Sequence, residues 1–274
     1  MYVSDDLVFL QLQKTACSHI ESILKSCVPG ETIGKHGPLT FNPGRRRIVG
    51  SIRNPFDWYV SLWSYGCQGQ GAIRTTLTTG AARQTFRTLR ERARHPTRWK
   101  EVPPILARTL SHVNEDFEAL YTDSDDPELF RAWLQRLLQG PGRPYLEGDY
   151  PIQPVDERLG LLSYRFLQLF TDFQAWTKHR PALLNQADVR QFYHDHAICS
   201  TFIRNERLEQ DLADLLCDLG YETSAQALRR DKVNASKHRP YTEYYNNETV
   251  ALVRNRDGLI CDLFSYELFS PEAQ

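Results

Sequence analysis

The sequence predicts an α/β protein in three layers, α/β/α, with a central, mostly parallel sheet and helical additions. Three stretches carry that prediction. Residues 7–27 run from an apolar segment, Leu7-Val-Phe-Leu-Gln-Leu12, through a short polar turn into an amphipathic segment. Residues 47–66 and 198–220 repeat the order of strand, turn and helix. Short apolar runs without polar alternation suit strands buried on both faces, as in a parallel sheet covered by helices.

In the first unit, Ile20, Ile23, Leu24 and Cys27 fall at i, i+3, i+4 and i+7, one apolar stripe of a helix. Ser18 and Glu21 have capping-box spacing, which predicts a helix start at Ser18. A strand that turns into a helix points backbone N–H groups outward, with the positive end of the helix dipole behind them. The turn is therefore an anion site, to which Lys14 adds a charge and Thr15 and Ser18 add hydroxyls.

Residues 28–47 read as a loop-rich connection with one short strand near Glu31–Ile33. His36 is flanked by Gly34, Gly37 and Pro38, which predicts a turn. It follows a strand, close to the sheet edge where the first loop lies, and ligands of open α/β sheets bind at the carboxyl ends of strands.

Arg47–Ile52 reads as the next buried strand. Asn54 suits a helix N-cap and Pro55 the first helical position. Phe56, Tyr59, Val60 and Trp63 form the core stripe, while Asn54, Asp57 and Ser61 share another face. Arg53 and Ser61 can converge on one anion, by a guanidinium fork and a hydroxyl. The competing arrangement is an Arg53–Asp57 pair with an exposed Ser61.

Residues 67–155 read as a helical and loop insertion that shapes a cleft, with helices over 106–120 and 123–138. The arginines of 81–98 fit a solvated face, with contact to an acidic substrate as the alternative, and the Pro/Gly-rich run 140–154 fits a surface loop over the cleft, with a domain boundary as the alternative. Residues 159–173 form an apolar core element. His194 and His196 are two apart, a poor spacing for two ligands to one metal, and no third ligand is evident. The 198–220 unit ends at Gly220 as a helix C-cap. A basic stretch, 232–241, precedes a last helix over 244–264.

Composition sets limits. With 274 residues, 41% hydrophobic and 24% charged, the chain reads as a single domain spanning 1–274. A net charge of −1 argues against a generally basic nucleic-acid binder. No apolar run is long enough for a membrane span, and no leader pattern is visible, so the expected location is cytoplasmic. The six cysteines are scattered without a CxxC pair, so neither a metal site nor a disulfide scaffold is expected.

Two strand–turn–helix units, each with a cation at the turn, predict a ligand with two separate phosphate-like groups. The glycines of GxxxxGK[ST] and of GxGxxG are absent, so ATP and NAD fit less well than another nucleotide.

These same residues carry a family resemblance. Gln13-Lys14-Thr15-Ala16-Cys17-Ser18 resembles the 5′-phosphosulfate loop of PAPS-dependent sulfotransferases (PAPS is 3′-phosphoadenosine 5′-phosphosulfate). That loop reads Pro-Lys-Thr-Gly-Ser/Thr-Thr/Ser, so glutamine replaces its proline and alanine its glycine. Ile52-Arg53-Asn54-Pro55-Phe56-Asp57-Trp58-Tyr59-Val60-Ser61-Leu62 resembles the family's 3′-phosphate segment. The order and separation of the two motifs resemble the carbohydrate (glycan) branch, as a soluble, bacterial-type member.

The resemblance implies a P-loop-like fold and transfer of a sulfuryl group to a hydroxyl or amine of a saccharide or small natural product, with adenosine 3′,5′-bisphosphate as by-product. It implies that Lys14 with Thr15, Ala16, Cys17, Ser18 and His19 holds the 5′-phosphate. Arg53 and Ser61 would hold the 3′-phosphate, and Asn234, Ser236, Lys237 and Arg239 would close over the nucleotide. Lys14 also stabilises the departing phosphate. His36 is the expected base, with His19 and Glu31 in reserve, and no metal is required. The alternatives are a P-loop-type kinase using ATP and magnesium, or a catalytically silent nucleotide- or glycan-binding module. The acceptor's identity and the oligomeric state are not encoded in these motifs.

Overall fold

The computed structural model of the chain describes residues 1–78, 117–139, 146, 150, 158–221 and 238–268. Strands β1 (Tyr2–Ser4), β2 (Leu7–Leu10), β3 (Gly30–Thr32), β4 (Arg47–Ile52) and β5 (Thr201–Arg204) form one mixed sheet in the order β3-β1-β2-β4-β5. The core β2-β4-β5 is parallel, with Leu10 opposite Gly50 and Ile52 opposite Arg204. β1 is antiparallel to both of its neighbours, so it alone is reversed. The carboxyl ends of β2, β3, β4 and β5 therefore lie along one edge.

Nine α-helices occur among the described residues: α1 (Cys17–Cys27), α2 (Pro55–Cys67), α3 (Ala72–Thr78), α4 (Pro127–Leu138), α5 (Leu161–Phe170), α6 (Phe173–His179), α7 (Gln186–His196), α8 (Leu208–Asp218) and α9 (Asn247–Phe264). None is long and apolar enough to cross a membrane.

The strand period of two divides the core. Leu7 and Phe9 of β2, Val49 of β4 and Ile203 of β5 pack with Ile20, Ile23 and Leu24 of α1 and Leu212, Leu215 and Leu216 of α8. Val8, Leu10 and Ile52 face the other way, into the larger core of α2, α4, α5 and α9. All four β2 residues are fully buried, as their uninterrupted apolar run requires.

Several boundaries differ from the sequence reading. β1 is three residues long, too short for its alternation to register, and turns into β2 at Asp5-Asp6. β3 is Gly30–Thr32 rather than Glu31–Ile33, and all three of its residues are exposed. β5 starts at Thr201 because the Ile198 N–H donates to Phe170 O, and Ala197 bridges Thr171, outside the main sheet. Helix α4 starts at Pro127, since Asp126 caps it by accepting from the Glu128 and Leu129 N–H groups. The apolar run 159–173 divides at Thr171-Asp172, where Asp172 caps α6. Of the helix expected over 106–120, Glu118–Tyr121 is a 3₁₀ turn and 106–116 lie outside the described residues, as do 81–98 and nearly all of 140–154. His194 contacts Asp195, while His196 stacks on His179 and packs at a tilt against Phe192. Gly220, at φ 80°, closes α8 as expected: Tyr221 N–H donates to Leu216 O and Gly220 N–H to Cys217 O, a Schellman arrangement.

One buried carboxylate ties the larger core together. Asp257 sits inside α9 with non-helical φ −116° and ψ 24°, and it is fully buried. It accepts from Tyr59 Oη of α2 and Ser163 N at the start of α5, each at 2.7 Å. The kink exposes Arg256 O, which accepts from Gly160 N at 2.7 Å. A Cβ at Gly160 would lie 2.1 Å from Asp257 Oδ2, so only glycine fits there. Burial pushes the Asp257 carboxyl up to about 6, against the hydrogen bonds from Tyr59 and Ser163.

Asp257→Ala should lower unfolding stability by about 2–4 kcal/mol, because two buried donors lose their acceptor. Since the folded value lies above the unfolded one, this group's contribution declines as pH rises from about 4 to about 6. Urea melts across that range should show the decline in wild type and lose it in Asp257→Asn.

Candidate functional site

The four strand ends open into a cavity of about 780 Å³. Gln13, Lys14, Ala16, Cys17, Ser18 and His19 line it after β2, Lys35 and His36 after β3, Arg53 after β4, and Asn205 after β5. Helix α2 contributes Ser61, Leu62 and Tyr65. Arg74 enters from α3, Arg165 from α5 and His238 from the segment before α9.

The turn after β2 is built from left-handed residues. Lys14 has φ 62° and Ala16, the N-cap of α1, has φ 58°. Helix α1 thus begins at Cys17 without a side-chain cap, rather than at Ser18 with a capping box. Glu21 is turned inward instead. Its carboxylate accepts from Gln11 Nε2 at 2.7 Å and Thr32 Oγ1 at 2.5 Å, and it pairs with Lys25 at 2.7 Å. Burial alone would raise its pKa, but these hydrogen bonds outweigh that and bring it to about 2.

Neighbouring elements pin the turn. Trp58 Nε1 donates to Gln13 O at 2.7 Å, and Arg53 Nη1 to Lys14 O at 3.3 Å. Thr15 is fully buried, with its hydroxyl 2.7 Å from Leu12 O and 2.6 Å from Ser51 Oγ. This corrects the role expected of the Thr15 side chain: the hydroxyl holds the loop to β4 and is not directed at a ligand. Ala16, Cys17, Ser18 and His19 do line the cavity, at the positive end of α1.

Lys14 Nζ lies 3.9 Å from the Tyr65 ring centroid, and among the described residues it pairs with no carboxylate. Burial, and secondarily the Arg53 charge, push its pKa down to about 8. Arg53 Nε donates to Asp57 at 2.6 Å, so that pairing is present. The bond also orients the guanidinium, whose other nitrogens retain donors. Ser61 is not exposed as the competing reading required; it is buried and lines the same cavity as Arg53.

His36 has φ 58°, and its Nδ1 lies 2.9 Å from Gln11 O. A carbonyl oxygen only accepts, so Nδ1 carries the proton and Nε2 the lone pair. Arg165 Nη2 donates to His36 O at 2.9 Å. Burial lowers the His36 pKa, the Gln11 carbonyl opposes this, and the charges of Arg165 and Lys35 lower it further. The ring is therefore neutral at neutral pH.

The lining has a single sign of charge. Lys14, Lys35, Arg53, Arg74 and Arg165 contribute to it, and among the described residues no Asp or Glu does. Of the other residues singled out from sequence, Glu31 is exposed on β3 and absent from the lining. Arg239 also lies off the lining, with Nε 4.0 Å from Asp125, whereas its neighbour His238 lines the cavity. Asn234, Ser236 and Lys237 are outside the described residues. Sequence reasoning missed Lys35, Tyr65, Arg74 and Arg165. A signal was available for Arg165, the charge inside the apolar run Leu-Leu-Ser-Tyr-Arg-Phe-Leu.

In comparison with known proteins, no family model, no curated protein and no solved structure matches this chain.

Two expectations follow from this geometry. Ala16→Gly should stabilise the protein by about 0.5–1 kcal/mol in chemical denaturation, because left-handed backbone disfavours a Cβ. Lys14 has a folded pKa below its unfolded value, so the ligand-free protein should gain stability as pH rises from about 8 to 10.5. Lys14→Met should flatten that rise and stabilise the protein near neutral pH by about 2 kcal/mol, allowing for solvent screening. A Lys14→Met variant no more stable than wild type would contradict the buried-charge account.

Proposed function

We propose that the protein is a PAPS-dependent sulfotransferase with a P-loop-like fold, acting on a hydroxyl or amine of a saccharide or small natural product. The observation that carries this reading is the cavity: a lining free of acidic residues among the described ones, with Lys14 after β2 and Arg53 after β4, and Ser61 of α2 in the same lining. Adjacent parallel strands lie about 4.8 Å apart, so two cationic turns side by side suit two phosphate groups of one nucleotide. A volume of about 780 Å³ suits a nucleotide-sized ligand.

On this reading the 5′-phosphate lies against the turn 14–19 and the start of α1. Arg53 and Ser61 take the 3′-phosphate, the group that separates PAPS from adenosine phosphosulfate. Bound PAPS supplies an activated sulfuryl group, and adenosine 3′,5′-bisphosphate departs. As in phosphoryl transfer, alignment and charge stabilisation dominate over covalent catalysis by the protein.

Lys14 offsets negative charge growing on the bridging oxygen as its bond to sulfur breaks. His36 Nε2 takes the acceptor's proton as the new bond to sulfur forms. The hydrogen bond from Nδ1 to Gln11 O fixes the tautomer this requires and stabilises the imidazolium produced.

Thermal shift separates this reading from an ATP-dependent kinase. Adenosine 3′,5′-bisphosphate should raise the melting temperature, and ATP with magnesium should do so weakly or not at all. Stabilisation by ATP–magnesium alone would sink the proposal. Transfer of radiolabelled sulfate from PAPS should fall by at least about 10²-fold in Lys14→Ala, in line with loss of one charge-stabilising group. Absence of transfer by wild type across an acceptor panel, with the bisphosphate still bound, would indicate a silent binding module.

A further inference from the structure

The pairing of β4 with β5 ends in a side chain. Its last pair is Ile52 opposite Arg204, after which Pro55 opens α2 and Asn205 opens a 3₁₀ turn. The Asn54 N–H, two residues past Ile52, is then left without a strand partner. Asn54 is only 1% exposed, so that donor needs an acceptor from the protein. Glu206, two residues past Arg204, supplies it: Oε1 accepts from Asn54 N at 2.7 Å. Its other oxygen accepts from Tyr266 Oη at 2.9 Å, in the segment that follows α9. That segment also holds the Asn54 side chain, whose Nδ2 donates to Glu267 O at 2.8 Å, while Oδ1 caps α2 by accepting from Phe56 N. Asn205 lines the cavity, but Asn54, Glu206 and Tyr266 lie behind the lining.

The clamp fixes the peptide that joins Arg53 to Asn54. A peptide is planar, so a bond to the Asn54 N–H sets the rotation about the Arg53 Cα–C bond. The Arg53 side chain leaves that same Cα, and its far end is held by Asp57 and by the Lys14 carbonyl. We infer that Glu206 is a positioning residue for Arg53: from behind the cavity, through the Asn54 peptide, it sets where the guanidinium meets the 3′-phosphate. This rests on the 3′-phosphate role proposed for Arg53. Without Glu206, a buried N–H loses its acceptor and the peptide turns toward another, carrying Arg53 with it. The carboxylate acts by geometry, since it is directed at Asn54 and Tyr266 and not into the cavity. Glutamine keeps an acceptor oxygen for Asn54 and can turn its amide to Tyr266 Oη, so it should serve in place of Glu206. Aspartate keeps the charge but withdraws it by one methylene, so it should not.

Two nucleotides that differ only in the 3′-phosphate test this: adenosine 3′,5′-bisphosphate and adenosine 5′-monophosphate, with affinities measured by calorimetry on the full chain. Wild type should bind the bisphosphate at least about tenfold more tightly, as one charge-assisted contact predicts, and Arg53→Gln should abolish the preference. In Glu206→Ala and Glu206→Asp the ratio should fall to within about threefold of one, with monophosphate affinity within about twofold of wild type. In Glu206→Gln the ratio should stay within about twofold of wild type. Glu206→Asp carries the test if Glu206→Ala does not fold. A preference that Arg53→Gln loses but both Glu206→Ala and Glu206→Asp keep would overturn the inference alone. So would an equal fall in affinity for both nucleotides, or a Glu206→Gln protein as impaired as Glu206→Ala. No preference in wild type, or one that survives Arg53→Gln, would instead overturn the 3′-phosphate assignment, and the inference with it.

Discussion

The parallel pairing of β2 with β4 is the constraint on which the site depends. With Leu10 opposite Gly50, β2 ends only two residues short of the end of β4, and the two turns that follow are in contact. The Thr15 and Ser51 hydroxyls meet at 2.6 Å, and Arg53 reaches the Lys14 carbonyl. A one-residue slip would reverse which face each side chain occupies. Val8 and Leu10 would then exchange cores with Leu7 and Phe9. Hydrophobic burial on both faces thus fixes, at a distance, the separation of the two cations.

That separation is held against resistance. Lys14 lies near Arg53 in a partly desolvated position, with an aromatic ring and, among the described residues, no carboxylate against its ammonium. Lys14, Ala16 and His36 are three of the four described non-glycine residues with positive φ, and all three line the cavity. Each such residue costs on the order of 1 kcal/mol. Strain and unneutralised charge coincide in the same loops, and neither contributes to folding. They persist because rigid neighbours over-determine them: Trp58 and Arg53 grip the first loop, and Gln11 and Arg165 grip the second.

What could be read from the sequence follows the range of the forces involved. β2, β4, α1 and α2 were legible because burial on two faces imposes an apolar run and a helical stripe over many residues. Lys14 and Arg53 were legible because such units end at turns. β1 was not, since three residues carry no periodicity. Glu21 shows a deeper limit. Its spacing from Ser18 is that of a capping box, yet the carboxylate is taken by Gln11 and Thr32, partners that only the sheet brings near. Thr15 failed in the same way, because its alternative partner was a hydroxyl on another strand. The placement of Arg165 beside His36 was missed because Arg165 is 129 residues from the carbonyl it holds.

Gln11 links these features. Its side-chain amide donates to Glu21, which anchors α1 to β3 through Thr32, while its backbone carbonyl accepts from His36. The His36 ring is therefore referenced to the end of β2, the strand that also carries the Lys14 turn. His36 and the Lys14 turn are set from one strand end, three residues apart at Gln11 and Lys14. A loop histidine positioned by its own loop would drift relative to Lys14 by the loop's full amplitude. His36 is instead tied to Gln11 by a 2.9 Å hydrogen bond. On the proposed function, in-line transfer would depend on the placement of His36 relative to Lys14. The exposed, irregular segment after β3 can therefore carry a positioned histidine without itself being part of the packed core.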